Sequence, residues 1–187
     1  MVANQKTAPL RESTRIVIRR LAVADREEFV RLARSSREFL RPWVYLSDTL
    51  EKFDRYLRQL DETSSECILI CARGSGRIVG MVSISDIIRG SQQRASIGYN
   101  AFTESARQGY IYEGLMLVLK FAFEDLGLHR IEADIQPENV ASLELAKKIG
   151  FHLEGYSPGF SYINGAWRDH ERWAISDDMT TAPRSFA

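Results

Sequence analysis

An α/β domain built on a mixed sheet is what three features of this 187-residue sequence predict. Strand-like segments alternate with helical patterns through the middle of the chain. A turn signal with a strand on either side flanks that middle at each end, "GSG" at 74–76 and Asn164-Gly165. Hydrophobic residues make up 44% and charged residues 27%, which at this length fits one ordinary globular domain with a real core.

The elements follow in order. "RIVIRRL" (15–21) reads as a first strand. Asp25 opens a helical segment with Phe29, Leu32 and Ala33 on one face, and Pro42 is expected to end it at about Arg41. Asp48 and Glu51 resemble a capping box for a second helix. Phe53, Tyr56, Leu57 and Leu60 then fall at i, i+3, i+4 and i+7. "CILICAR" (67–73) and "IVGMVSIS" (78–85) form a hairpin of largely buried strands, and "ASIGYNAF" (95–102) a third strand. Leu115, Val118, Leu119, Ala122 and Phe123 give a helix with Gly127 as its stop. "HRIEADI" (129–135) alternates as a strand, 137–150 is a helix ending on glycine, and "FHLEGY", "FSYI" and "AWRDHERWAI" are terminal strands. The order is β-α-α-β-β-β-α-β-α-β-β. The domain is expected over 12–178, with 1–11 and 179–187 as flexible ends.

Charge and cysteine usage narrow the partners. Lys plus Arg and Asp plus Glu number 25 each, so the basic excess of a nucleic-acid binder is missing. No apolar run is long enough to span a membrane, and the polar start of the chain lacks a signal-peptide apolar segment. A cytoplasmic location is expected. Cys67 and Cys71 lie on one face of a strand, about 13 Å apart at the usual rise, too far for a disulfide. They read as small core residues in a reducing compartment.

Chemistry concentrates at "RQGYIYEGL" (107–115), where a loop runs into a helix just after a strand. A helix N-terminus offers unpaired N–H groups and partial positive charge, and a strand–loop–helix unit can aim them at a phosphate. Gly109 admits close backbone approach, and Arg107 adds charge. No Walker A lysine follows, and the glycines of a dinucleotide fingerprint are missing. An ordinary helix start is the alternative. Some twenty residues on, "ADIQPEN" leads into a second helix with Asn139 as N-cap and Ser142 at N3. Both helices begin beyond the C-terminal ends of adjacent strands, where open α/β sheets bind ligands.

With these residues in place, the chain resembles the GNAT acetyltransferases, and within them the RimJ/RimL branch of ribosomal-protein N-terminal acetyltransferases. "GYNAFTESARQGYIYEGLMLVLKFAFEDLGLHRIEADIQPENVASLELAKKIGFHLEGY" resembles the family's acetyl-CoA-binding core; "IIRGSQQRASIGY", "INGAWRDH" and "FLRPW" resemble the branch. The resemblance implies a GNAT fold: one α/β domain, a mostly antiparallel sheet of about seven strands, helices on both faces, and a splay between the two central strands. It implies acetyl-CoA as cofactor. The family's pyrophosphate loop reads Gln/Arg-x-x-Gly-x-Gly/Ala. Ala106, Gly109 and Ile111 stand at those positions and Gly109 alone matches, so weakened or slightly shifted binding is expected. The diphosphate donors would be the backbone amides of Arg107, Gln108, Gly109, Tyr110 and Ile111. The pantetheine arm would enter beside Gly98 and Tyr99 by strand addition, with an N–H near Asn100 or Ala101 meeting the thioester carbonyl. Asn139 would contact the arm, and Ser142 would protonate the departing thiolate or simply cap its helix.

The implied acceptor is a primary amine. An α-amine, roughly a tenth neutral at pH 7, needs less help than a lysine, so a weak base suffices. Glu104, Glu113 and Asp86 are candidates; Glu113 equally suits the helix dipole. His129 and His170 read as strand residues rather than bases. No covalent nucleophile or metal cluster is indicated, so direct transfer in a ternary complex is expected. Trp167 and Trp173 fall on one face of the last strand as core or interface residues, while Phe39, Trp43 and Tyr45 are candidate acceptor contacts. The expected acceptor is a protein N-terminus, such as that of a ribosomal protein; alternatives are a small amine or a non-catalytic acyl-CoA-binding or ribosome-assembly role. No nucleic acid or membrane partner is expected, and the protein would be a monomer or homodimer.

Overall fold

The computed structural model describes residues 6–61 and 63–178. Eight strands form one sheet in the order β1-β2-β3-β4-β5-β6-β8-β7. They are β1 Pro9–Glu12, β2 Ile16–Arg20, β3 Glu66–Ala72, β4 Ile78–Ile88, β5 Arg94–Ala101, β6 Arg130–Ile135, β7 His152–Ile163 and β8 Ala166–Ser176. Every pairing is antiparallel except that of β5 with β6. The helices are α1 Arg26–Ser35, α2 Arg37–Leu40, α3 Leu50–Gln59, α4 Tyr110–Lys120 and α5 Val140–Ile149.

Two hydrophobic layers explain why β3 is apolar along nearly its whole length. Cys67, Leu69 and Cys71 point to the layer formed with Phe29, Leu32 and Phe53 of α1 and α3. Ile68 and Ile70 point to the opposite layer, with Leu115 and Val118 of α4 and Leu143 and Ala146 of α5. Alternate side chains of a strand buried on both faces need no polar partner residues. Gly114 lets α4 sit directly on β3, since a Cβ there would lie 2.3 Å from Ile70 Cδ1. Arg19 and Asp25, both buried, form a two-point ion pair at 2.7 and 2.6 Å that ties β2 to the start of α1.

Four expectations are corrected. The predicted loose N-terminal end contains a strand, because residues 9–12 pair with β2; the expected ends at 1–5 and 179–187 lie outside the described residues. The first helix breaks at Ser36 rather than running to Arg41: the buried Ser36 Oγ accepts the Thr103 N–H at 2.9 Å, trading helix continuity for a tie to the β5–α4 connection. The cap of α3 is Thr49, whose hydroxyl accepts the Lys52 N–H at 3.2 Å, while Asp48 pairs with Lys52 Nζ at 2.7 Å. "FHLEGY" and "FSYI" are one strand, β7, with register shifts against β8 between Leu153 and Gly155 and between Ser157 and Ser161. Counting β1, the sheet has eight strands and is mostly antiparallel, as the fold class implies. The Asn164-Gly165 turn forms as predicted, with both residues at positive φ (51° and 83°). No helix among the described residues is long and apolar enough to cross a membrane.

Candidate active site

The centre of the sheet is split. β5 and β6 pair only at Arg94↔Arg130, Ala95↔Ile131 and Ser96↔Glu132, although β5 continues to Ala101 and β6 to Ile135. Each strand keeps its outer partner over that stretch: Gly80 still faces Ala101, and Ile135 still faces Glu171. The two halves of the sheet therefore diverge beyond Ser96. A cleft of about 730 Å³ fills the gap and is bordered by both diverging segments, the start of α4, the start of α5 and residues 39–47.

One end of the cleft is the start of α4. Gly109 caps the helix at φ 81°, and Arg107 two residues earlier is also left-handed at φ 61°. Such a backbone costs a non-glycine residue about 1–2 kcal/mol and serves to turn successive N–H groups outward. No acceptor among the described residues takes the N–H groups of 107–112; the next, on Glu113, bonds the Gly109 carbonyl at 3.2 Å. A Cβ on Gly109 would meet nothing within 4 Å, so the space above it is open. Arg15 braces the loop by donating to the Gln108 carbonyl at 2.9 Å and stacking over Tyr110 at 4.7 Å. Ile111 packs down onto β4 at Gly80, where an added Cβ would lie 2.2 Å from its Cδ1. The bulky residue is thereby kept off the donor loop. This donor set suits an anion with several oxygens.

The gap itself is spanned by Tyr99, whose hydroxyl donates to the Ser142 carbonyl at 3.0 Å. Burial holds that phenol well above its ordinary pKa, so it stays a neutral donor. Asn139 caps α5 as expected, its Oδ1 accepting the Ser142 N–H at 3.3 Å. Ser142 and Asn139 both border the cleft.

The other side of the cleft lies toward α1–α3. Met81 belongs to the α1–α3 layer and is the register partner of Asn100, so the Asn100 side chain faces that side. Its Nδ2 is buried and has no hydrogen-bond partner; the Ser105 hydroxyl, in a residue 2% exposed, has none either. Gln136 Nε2 reaches the Trp43 carbonyl at 3.4 Å, and Asn164 Nδ2 donates to the Arg41 carbonyl. These two bonds clasp residues 41–43 between β6 and the β7–β8 turn to form the groove wall. Asp134, the sole carboxylate bordering the cleft among the described residues, is paired with Arg172.

Most of the predicted site residues meet here: Gly98, Tyr99, Asn100, Ala101, Arg107, Gly109, Tyr110, Ile111, Asn139 and Ser142, with Phe39, Trp43 and Tyr45 on the α1–α3 side. Gln108 contributes backbone only, its side chain turning back to the Glu104 carbonyl at 3.1 Å. Neither Glu104 nor Glu113 borders the cleft. Glu104 pairs with Arg31 at 2.7 Å, and Glu113 accepts from Ser13 and faces Arg15 at 3.7 Å on the β1–β2 side. Trp173 is core (5% exposed), but Trp167 is 67% exposed at the hairpin end, against Tyr162 at 5.6 Å. Ser105, Gln136 and His170 also border the cleft without a local sequence signal of a site; His170, which reads as a strand residue, is 4% exposed.

Comparison with known proteins agrees with this geometry. The family described as "Acetyltransferase (GNAT) domain" matches residues 15–152. The chain is 34% identical over 168 residues to "Probable N-acetyltransferase YjcK" of Bacillus subtilis (strain 168), covering 86% of this chain and 93% of that one. It is 31% identical over 107 residues to the ribosomal protein uS5-alanine N-acetyltransferase of Escherichia coli (strain K12), a match over 57% of this chain and 55% of that enzyme. In three dimensions it resembles the ribosomal-protein-S5-alanine acetyltransferase of Vibrio fischeri (26% identity, TM-score 0.81, 90% of this chain and 96% of that one). The fold is also that of Mycobacterium smegmatis RimJ in complex with CoA-disulfide (24% identity, TM-score 0.84, 96% and 90% coverage). A sheet split at its centre, main-chain donors at the mouth of the split and these matches together place the chain in the GNAT family as a RimJ-like, acetyl-CoA-dependent N-acetyltransferase.

Proposed function

We propose that this enzyme acetylates the N-terminal α-amine of a protein chain. The observation that carries the reading is the unpaired, buried Asn100 Nδ2 on the α1–α3 side of the cleft. It is a donor in need of an acceptor, and leaving it unmet costs about 1–3 kcal/mol. A peptide N-terminus brings a carbonyl oxygen one residue from its amine. A polyamine brings only donors and positive charge, and the sole carboxylate bordering the cleft among the described residues is already held by Arg172. The groove wall at residues 41–43 leaves Phe39 and Tyr45, 46% and 52% exposed, to flank an extended chain. The uS5-alanine and S5-alanine names of two relatives support the same acceptor class.

Acetyl-CoA supplies the acetyl group as a thioester when bound. The unpaired N–H groups of 107–111 would hold its diphosphate, and the free edges of β5 at 98–101 and β6 at 133–135 would pair with the amides of its arm. The Asn100 or Ala101 N–H would face the thioester carbonyl, and Ser142 Oγ would return a proton to the sulfur. Direct transfer follows from the thiols: neither Cys67 nor Cys71 borders the cleft, and burial pushes the Cys67 thiol up to about 12, leaving no thiolate at neutral pH. Buried, free thiols suit a reducing, cytoplasmic setting.

Thiol release is the test, with peptides beginning in Ala or Ser, the same peptides N-terminally blocked, and a panel of polyamines and amino sugars. Turnover of the free peptides alone is expected. Asn100→Leu should raise their KM by roughly 5- to 150-fold, the equivalent of about 1–3 kcal/mol. Faster turnover of a small amine, untouched by Asn100→Leu, refutes the acceptor class. Mass spectrometry of protein N-termini from cells with and without the enzyme would then name the acceptor.

A further inference from the structure

We infer that His170 is the base that takes the proton from the acceptor amine. Three observations converge on it. His170 is 4% exposed and borders the cleft, so its ring belongs to the site and not to the solvent-facing sheet. Trp173 points to the α4–α5 layer; by alternation along β8, His170 points to the opposite side, where Asn100, Gln136 and Trp43 form the acceptor wall. Its Nδ1 lies 3.1 Å from the Arg168 carbonyl oxygen. A carbonyl only accepts, so Nδ1 carries the hydrogen, and the neutral ring presents its lone pair at Nε2.

The surroundings leave that lone pair available. Phe160 packs on the ring at 5.5 Å between centroids and fixes its plane. On this face Asp134 of β6 and Arg172 of β8 pair with each other. Asp169, next in the chain, accepts the Gly159 N–H at 2.7 Å and the Tyr156 hydroxyl. Glu171 accepts from Trp173 at 3.0 Å. No carboxylate among the described residues is bonded to the ring, in contrast to His129, which pairs with Asp177 at 2.7 Å. Of the three carboxylates expected as bases, Glu104 and Glu113 are bound to Arg31, Ser13 and Arg15 away from the cleft, and Asp86 does not border it, which leaves the base position to His170.

In the transfer the neutral amine nitrogen bonds to the acetyl carbon, the carbon–sulfur bond breaks, and the sulfur leaves with that electron pair. The surplus proton on nitrogen passes to His170 Nε2, and the doubly protonated ring releases it to water. The inference rests on the acceptor entering from the α1–α3 side, but not on the acceptor being a peptide.

Two measurements on the full chain test it. His170→Gln and His170→Ala should lower kcat by about 10²- to 10⁴-fold, the usual contribution of a positioned base, with coenzyme A affinity by calorimetry unchanged. Imidazole should restore part of the activity to His170→Ala. Turnover is followed on whichever amine the wild type accepts, so a preference for small amines sinks the peptide reading while leaving this comparison intact. Nitrogen-detected NMR of the imidazole in the free protein should show the hydrogen on Nδ1. A hydrogen on Nε2 in the neutral ring, a kcat for His170→Gln within a few-fold of wild type, or loss of activity without imidazole rescue overturns the assignment. If His170→Ala does not fold, His170→Gln and the tautomer decide alone.

Discussion

Gly80 and Ile111 are predicted to depend on each other. Ile111 stands at the last position of the loop proposed to hold the diphosphate, where the family's pattern has glycine or alanine, and its side chain is accommodated by the missing Cβ of Gly80 on β4. A Cβ at Gly80 would lie 2.2 Å from Ile111 Cδ1 and 2.9 Å from the Asn100 carbonyl oxygen. Gly80→Ala must therefore displace Ile111 toward the loop above it. Overpacking of this kind costs about 1–3 kcal/mol, and alanine returns about 0.5–1 kcal/mol by restricting the unfolded strand. The net loss for the single variant therefore spans about 0–2.5 kcal/mol, too wide a range to decide the point, so the coupling carries the test. In the Gly80→Ala, Ile111→Ala double variant the larger clash is gone, and its loss should fall short of the sum of the singles by about 1 kcal/mol, within the usual range of roughly 0.5–3 kcal/mol for residues in contact. Urea unfolding measures this. Calorimetry with coenzyme A should show the same pattern: roughly tenfold weaker binding for Gly80→Ala, about 1.4 kcal/mol, recovered in the double variant. Additivity within about 0.5 kcal/mol, or equal weakening of coenzyme A binding when Gly80→Ala is made on top of Ile111→Ala, would show that Gly80 does not make room for Ile111.

Three further outcomes are expected. Gly109→Trp puts a side chain where a Cβ meets open space; it should abolish coenzyme A binding while the φ of 81° limits the stability loss to about 1–2 kcal/mol, and unchanged affinity by calorimetry would mean the diphosphate lies elsewhere. Asp25→Ala strands the buried Arg19 guanidinium and should cost about 3–5 kcal/mol in urea unfolding, most of it regained by pairing Asp25→Leu with Arg19→Met; equal losses in both would locate the cost in packing. Burial raises the Cys67 thiol to about 12, and it raises the Cys71 thiol above its ordinary value. The neutral thiols are fully tolerated below the unfolded value near 8.5, and stability falls as pH rises from there toward 12 because the unfolded chain sheds these protons first. Cys67→Ala should flatten that alkaline decline by up to about 1.4 kcal/mol per pH unit, and an unaltered slope in thermal melts would refute it.

What the sequence disclosed follows from how local each signal is. The run 66–72 names a strand buried on both faces because both layers demand apolar partners from one short segment. Asn139 and Ser142 show their cap directly, three residues apart. Thr49 and Asp48 are adjacent and can both cap, so the sequence does not separate them; the choice falls to the ion pair Asp48 makes with Lys52. β1 is short and half polar, and becomes a strand only because β2 offers an open edge. The break at Ser36 is set by a backbone N–H at Thr103, on a segment far along the chain.

The same distinction separates the two halves of the cleft. The half proposed to hold the cofactor is drawn from two stretches, 98–111 and 133–142, each a strand running into a helix, so a single local pattern of strand, loop and helix start spans it. The half proposed to hold the acceptor is gathered from residues 39–47, Asn100, Ser105, Gln136, Ile163 and His170, joined by contacts such as Gln136 to Trp43 and Asn164 to Arg41 across 93 and 123 residues. No spacing rule links them. His170 shows the consequence: in an alternating strand a histidine is indistinguishable from a structural one until the fold shows that it borders the cleft and that its Nδ1 lies beside a carbonyl two residues back. On the proposed assignment, binding of the shared cofactor is written locally, while choice of acceptor is written in which distant segments meet. Substitutions that alter acceptor preference should lie among these long-range contacts and leave coenzyme A affinity unchanged.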